Sequence, residues 1–363
     1  MPKICLIGAF PPPVHGISET NAVMCDRLRE MGVKPIVVDL GAASLGRSFR
    51  ARLARFPKVL RGFGRLMTSR GLRGSAFYMS ISGGLGQVYE VLFLLLGRLQ
   101  GMRIYLHHHS FAYLNARSRL TATLITLAGR AATHVVQSPG MVAKLRAQYP
   151  TARRVVAVSN TALLSGNATP RRRDRQFLRT IGFLSNICKE KGVFEFLDLV
   201  ATLEKQGVDV RARLAGPFQD AETERLTRER LGALRTVEYV GPKYGVEKED
   251  FFASIDVLIF PTRYVHETES RVTPEAMQHA VPVITYHRGC IPEIVGPESG
   301  LVLDPSFPFV PAAVAKIEEW MASPESFQAA SRAARSRFEE IQRDALEQWA
   351  SLVEELCQGV RRQ

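Results

Sequence analysis

Acidic residues are nearly missing from the first half of this 363-residue chain. Residues 1–173 hold 25 Lys and Arg but only five acids, Glu19, Asp26, Glu30, Asp39 and Glu90, and none stands between Glu90 and Asp174. That half carries a formal +20 and the remainder −7, within a total of +13. A solvated surface ordinarily mixes its signs, so this bias points to an anionic partner. Long apolar runs are lacking too. The best candidate, Val91–Leu96, is far shorter than the roughly 18–20 residues of a membrane span. The five cysteines, Cys5, Cys25, Cys188, Cys290 and Cys357, are odd in number, and no two stand at metal-ligand spacing. This excludes a disulfide framework and predicts a reduced, cytoplasmic chain. Met1-Pro2-Lys3 runs straight into Ile4–Gly8, which reads as a buried strand and not as a signal peptide. No G-x-G-x-x-G follows that strand, so the dinucleotide fingerprint is missing. At 46% hydrophobic and 23% charged residues, a disordered chain and a collagen-like repeat are excluded as well.

What is present is alternation. Apolar, β-branched runs at Ile4–Gly8, Lys34–Leu40, Phe77–Ser82, Arg103–His107, His134–Gln137 and Val155–Ser159 are strand patterns. Helical patterns lie between them at Ser18–Met31, Gly86–Leu99 and Arg117–Ala132. Ser165–Asp174 is polar, contains Gly and Pro, and has no periodicity, as a linker does. Strands are expected again at Arg179–Leu184, Val210–Ala215, Val237–Val240, Val257–Phe260 and Val283–Thr285. Helices are expected at Val193–Gln206, Ala221–Leu234, Lys248–Ser254 and Pro274–His279, and from about Ser323 to Gly359, with Ser323-Pro324 as cap and first helical residue. The class is α/β, with two doubly wound domains at 1–168 and 176–335 and a C-terminal helical segment at 336–363. Such domains bind ligands beyond the carboxyl ends of their strands, in a cleft.

The densest basic stretch is Arg47–Arg73. Phe49, Leu53, Phe56, Leu60, Phe63 and Met67 recur at helical spacing, while Arg47, Arg50, Arg55, Lys58, Arg61 and Arg65 fall mostly on the other side. Pro57 predicts a kink or two short helices. The expected partner is an anionic membrane surface; the alternative is a core-facing helix with a basic outer side. Nucleic acid is set aside, because zinc spacing and RNP-type motifs are missing.

The most informative stretch is Tyr264–Met277, followed by Val281-Pro-Val-Ile284. Glu267 falls in a loop after a strand. Glu275, eight positions on, falls in the first turn of a helix with Pro274 near its start. Backbone N–H groups at a helix start suit phosphates, and carboxylates accept from sugar hydroxyls. The stretch resembles the E-x7-E motif of retaining glycosyltransferase family 4, whose fold is GT-B, two Rossmann-like domains facing a central cleft. Arg271-Val272 with Glu275-Ala276-Met277, Gly289–Val295 and Gly300-Leu301-Val302 are similar to that family's flanking motifs. Ile181–Ser185 followed by Lys189–Gly192 resembles its phosphate loop, and Phe10–Ser18 its first glycine loop, with His15 where glycine is common. His107–His109 resembles its H-x-H loop, and Asn160 a strand-end asparagine.

The resemblance implies roles. Glu275 holds the donor's ribose, Glu267 the hydroxyls of the transferred sugar, and Lys191 the diphosphate, with His109 nearest the donor sugar. Gly16, Arg271 and Val272 belong to the donor site, and His15 and Ser18 to the acceptor side, with Ser18 expected to cap the next helix. The family's usual phosphate-binding Arg is Phe183 here, so Asn186, Lys189 or Arg263 is expected to substitute. Glu269-Ser270 replaces a common Gly-Phe. The three adjacent histidines diverge at a strand end and are poorly placed to share a metal. No D-x-D triplet occurs. The expectation is a metal-independent, retaining transferase without a cofactor. It takes a UDP- or GDP-sugar, modifies a saccharide or lipid-linked acceptor in surface glycan synthesis, and lies on the inner face of the membrane. A non-catalytic partner subunit and a sugar-nucleotide epimerase share the fold and stay open at this point.

Overall fold

The computed structural model describes residues 3–41, 56–164 and 175–358. The described chain divides into two units. The first comprises Met1–Leu163, Val265–Glu269 and Asp344–Gln363, and the second Leu164–Tyr264 and Ser270–Arg343.

The first unit is built on six strands: β1 (Ile4–Gly8), β2 (Ile36–Asp39), β3 (Ala76–Ile81), β4 (Arg103–His108), β5 (Thr133–Val136) and β6 (Arg154–Ala157). All pairs are parallel, in the order β2-β1-β3-β4-β5-β6. The order reverses beside β1, which makes the loops after β1 and β3 the ligand-binding edge of such a sheet. One core packs Ile4, Leu6, Tyr78 and Val135 with Met24 and Leu28 of helix Gly16–Glu30, and with Trp349, Leu352 and Leu356 of helix Pro324–Cys357. Each such buried side chain contributes about 1.5–3 kcal/mol. Helices Phe56–Thr68, Gln87–Leu99, Arg119–Ala128 and Pro139–Gln148 complete the unit.

The second unit has β7 (Thr180–Leu184), β8 (Arg211–Ala215), β9 (Val237–Tyr239), β10 (Val257–Phe260), β11 (Val283–Tyr286) and β12 (Gly300–Leu303). They form a parallel sheet in the order β12-β11-β10-β7-β8-β9, with its switch point between β7 and β10. Phe183, Phe196, Phe260, Trp320, Phe327 and Phe338 lie in its core.

Local chemistry explains several boundaries. Ser138, Ser118 and Asp220 cap their helices through Met141, Thr121 and Thr223. Ser323 Oγ accepts from Ser326 N at 3.3 Å at the start of helix Pro324–Cys357, as its sequence predicts. Other expectations are corrected. His15, not Ser18, caps helix Gly16–Glu30: its Nδ1 accepts from Ser18 N at 3.4 Å, while Ser18 Oγ accepts from His15 N at 2.9 Å, a reciprocal capping box. The expected kink or pair of short helices at Pro57 reaches into residues 42–55, which lie outside the described residues; Pro57 itself belongs to helix Phe56–Thr68. Arg47, Arg50, Arg55, Phe49, Leu53 and the linker 165–174 lie outside the described residues. Among the described residues, no helix is long and apolar enough to cross a membrane.

Candidate functional site

In the first unit, β4 delivers His107 and His108 to the sheet end, with His109 just beyond. His107 meets Tyr78 Oη at 2.5 Å and Gln137 Nε2 at 2.9 Å. His108 meets Tyr113 Oη at 2.9 Å and His134 Nδ1 at 3.0 Å. The His109 ring lies 4.0 Å from that of His107 between centroids, tilted by 49°, and His109 is 7% exposed. Burial, aided by the nearby His15 imidazole, pushes its pKa down to about 3, so it is neutral at physiological pH. Among the described residues, His109 Nε2 meets no protein partner, and neither does the buried Oδ1 of Asn160 beyond β6. Buried polar atoms are rarely left so, and these two stand beyond the carboxyl ends of β4 and β6, with β5 between those strands. His15 and Ser18 are committed to the helix cap. Gly16 is exposed, and a Cβ built there would meet nothing within 4 Å, so the backbone is open to close approach.

The segment Val265–Glu269 is pinned on both sides of Glu267. His266 Nδ1 lies 2.8 Å from Ser110 Oγ. Glu269 is fully enclosed and accepts from Asn160 N at 2.6 Å, from Thr161 Oγ1 at 2.9 Å and from Ser159 Oγ. Burial raises its pKa to about 7 in spite of these donors. Glu267 itself is half-buried. Sequence reasoning treated Glu269 only as a departure from a Gly-Phe pair; its anchoring partners, about 110 positions away, leave no local signal.

In the second unit, the loops after β7 and β10 meet at the switch point. Gly192 adopts φ +89°, and a Cβ there would stand 2.4 Å from Pro261 O, so only glycine lets helix Val193–Lys205 begin against β10. Lys191, just before that helix, places Nζ 4.8 Å from the Tyr264 ring centroid and 5.5 Å from that of Phe260. Arg263 N donates to Glu190 O at 2.8 Å and ties the two loops together. The Arg263 guanidinium lies 4.2 Å over the Tyr286 ring and donates to Tyr286 Oη at 2.6 Å and to Pro305 O at 3.1 Å. Lys189 is exposed, and Asn186 is half-buried beside Ser185, whose buried Oγ meets no protein partner among the described residues. Phe183 lies in the core, with its ring 5.5 Å from that of Phe196.

Glu275 belongs to helix Val272–Gln278. The helix opens two residues before Pro274, not at it. Glu275 is 5% exposed, and its Oε1 takes Lys248 Nζ at 2.7 Å and Arg271 NH2 at 3.6 Å. Such pairing offsets the cost of burying a carboxylate. Lys248, from helix Gly245–Ser254, was not foreseen as a partner, because 27 positions separate it from Glu275. Val272 packs against the unit's core.

Residues 173–337 match the family model described as glycosyl transferases group 1. The chain carries a glycosyltransferase domain. The glycosyltransferase domain thus spans the Lys191, Arg263 and Glu275 region, and the matched residues include every second-unit side chain described above. Solved structures are similar over nearly the whole chain. HepE from Anabaena in complex with UDP aligns with TM-score 0.69 at 16% identity, covering 97% of this chain and 100% of that one. Sucrose-phosphate synthase from Thermosynechococcus elongatus gives 0.71 at 18%, covering 99% and 100%. The pneumococcal O-GlcNAc transferase GtfA, in complex with UDP and GlcNAc, gives 0.63 at 15%, covering 81% and 60%. At these identities the likeness establishes the fold, GT-B, with two α/β units. No curated protein matches the sequence.

Proposed function

We propose that the chain is a metal-independent, retaining glycosyltransferase of the E-x7-E type, related to family 4, that transfers a hexosyl group from a UDP- or GDP-sugar. The observation that carries this reading is Glu275, a buried carboxylate braced by Lys248 and Arg271 inside the matched domain. In this reading Glu275 accepts from the ribose hydroxyls, with Lys248 and Arg271 fixing its carboxylate in place. Lys191 and the N-terminal end of helix Val193–Lys205 receive the diphosphate, Asn186 and Lys189 flank it, and Arg263 sets the loop in place from its stack on Tyr286. His109, neutral and with Nε2 unengaged, hydrogen-bonds the donor sugar, and Glu267 binds its hydroxyls. Arg271 and Val272 position the Glu275 helix, and Gly16 leaves room for the donor's backbone contact. The difficult step is departure of the nucleoside diphosphate, so fixed positive charge and backbone N–H groups supply most of the catalysis. The acceptor hydroxyl attacks from the face the diphosphate leaves, and a leaving-group oxygen takes its proton, which preserves the anomeric configuration. UDP in the HepE and GtfA structures favours a uridine donor.

The acceptor is read as a saccharide or lipid-linked saccharide of surface glycan synthesis, held by the basic first unit near His15 and Ser18. The protein is read as peripheral on the inner face of the membrane, through Arg47–Arg73. Nucleotide release from a panel of UDP- and GDP-sugars tests the transferase reading. Release from one donor, falling at least a hundredfold in Glu267→Ala, is expected. Release that survives in the variant, or the absence of both binding and release across the panel, contradicts it; conversion of one donor sugar into another without acceptor would mean an epimerase.

A further inference from the structure

Helix Phe56–Thr68 turns one side to the core through Val59, Gly62 and Leu66, and leaves its predicted apolar stripe largely in solvent. Phe56 is 55% exposed, Leu60 62% and Met67 59%. Phe63 completes the stripe and packs its ring 5.8 Å from that of Phe93 on helix Gln87–Leu99. That second helix carries a stripe of the same spacing, Val88, Leu92, Leu95 and Leu99, again open to solvent, with Leu99 85% exposed. Gln100 Nε2 donates to Leu66 O at 2.9 Å, so the two helices end side by side and their stripes run in the same sense. Eight apolar side chains at i, i+4, i+7 and i+11 on two neighbouring helices exceed the scattered exposed leucines of an ordinary surface.

The charge around them is of one sign. Among residues 56–164 the single acid is Glu90. It is buried and accepts from Ser82 N at 2.9 Å and from Ser82 Oγ at 2.6 Å. Arg61, Arg65, Arg70, Arg73 and Arg98 are exposed on or beside the two helices. An apolar face rimmed by cations, with no exposed acid in the segment, fits a layer of anionic headgroups over acyl chains. Each cation at such a surface adds about fivefold to binding, and the apolar face adds burial in the acyl boundary.

We infer that the two helices form one platform that lies in the surface of an anionic bilayer, with Leu60, Met67, Leu92 and Leu99 entering the acyl boundary. The inference rests on the membrane-facing reading of the basic half and extends it from one helix to a helix pair. It gives the first unit a lipid surface as partner, so that a lipid-linked acceptor would be met in two dimensions.

The test is co-sedimentation of the full chain with phosphatidylcholine vesicles, with and without phosphatidylglycerol, at low salt and without nucleotide sugar. Wild type is expected to pellet with the anionic vesicles only. Leu60→Glu combined with Leu92→Glu is expected to weaken that binding at least tenfold while keeping the wild-type melting temperature and UDP binding, since both sites are exposed. Binding unchanged in the double variant, or no binding by wild type, overturns the inference. So does a concentration-dependent dimer that the double variant abolishes, which would make the occupant a second copy. UDP binding read in parallel separates these failures from failure of the transferase reading.

Discussion

Glu269 shows how a residue between the two motif glutamates can set the position of one of them. It receives Ser159 Oγ, Asn160 N and Thr161 Oγ1 in a fully buried pocket, two residues from Glu267. Glu269→Ala leaves these donors without an acceptor, and each unsatisfied buried group costs about 1–3 kcal/mol. The expected outcome is a lower melting temperature together with a fall in kcat for glycosyl transfer, because the Glu267 segment loses one of its two pins. Glu269→Gln, which keeps an acceptor oxygen, should recover most of the stability. Equal damage in both variants would mean that the charge, not the acceptor geometry, matters here.

The strands were the most legible elements, because parallel strands buried on both faces read as continuous apolar runs. β1 and β10 fall where the sequence places them, the other expected strands differ by a residue or two at their ends, and β12 was not read as a strand. Helix Pro139–Gln148 was not expected, since only Met141 and Leu145 are buried along it and its apolar period is weak. Helix Phe309–Ala322 was also passed over, although Phe309, Ala313, Ile317 and Trp320 repeat on one face. Glu267, Glu275 and Lys191 were legible through short motifs. Lys248 and Glu269 were not, because their partners come from distant elements. The element with the sharpest physical consequence is β4. Burial lowers the pKa of His107, His108, His109 and His134, so the folded unit refuses protons that the unfolded chain accepts below about pH 6.5. Stability is therefore retained above that pH and lost as pH falls through it. Glu269 acts in the opposite sense, because its folded pKa of about 7 makes ionisation cost stability as pH rises through 4.5–7. With four histidines against one carboxyl, calorimetry should find a melting transition that falls steadily between pH 7 and pH 5. A transition that rises over that range would contradict the neutral histidine cluster.

Over the whole molecule, the sequence's charge asymmetry and its motif content fall into separate parts of the chain. The basic first half supplies the exposed helix pair and the histidine strand, while the family match and the braced Glu275 lie at 173–337. Fold likeness to HepE and sucrose-phosphate synthase extends over nearly the entire chain, and the local chemistry at Glu275 and Lys191 carries the functional reading beyond it. The most direct test of that reading is calorimetric titration of UDP and GDP into the wild-type chain and into Glu275→Ala. The account predicts that one of the two nucleotides binds wild type at a single site, and that the variant binds it at least tenfold more weakly while remaining folded. Equal affinity in the two proteins, or binding of neither nucleotide by wild type, would contradict it.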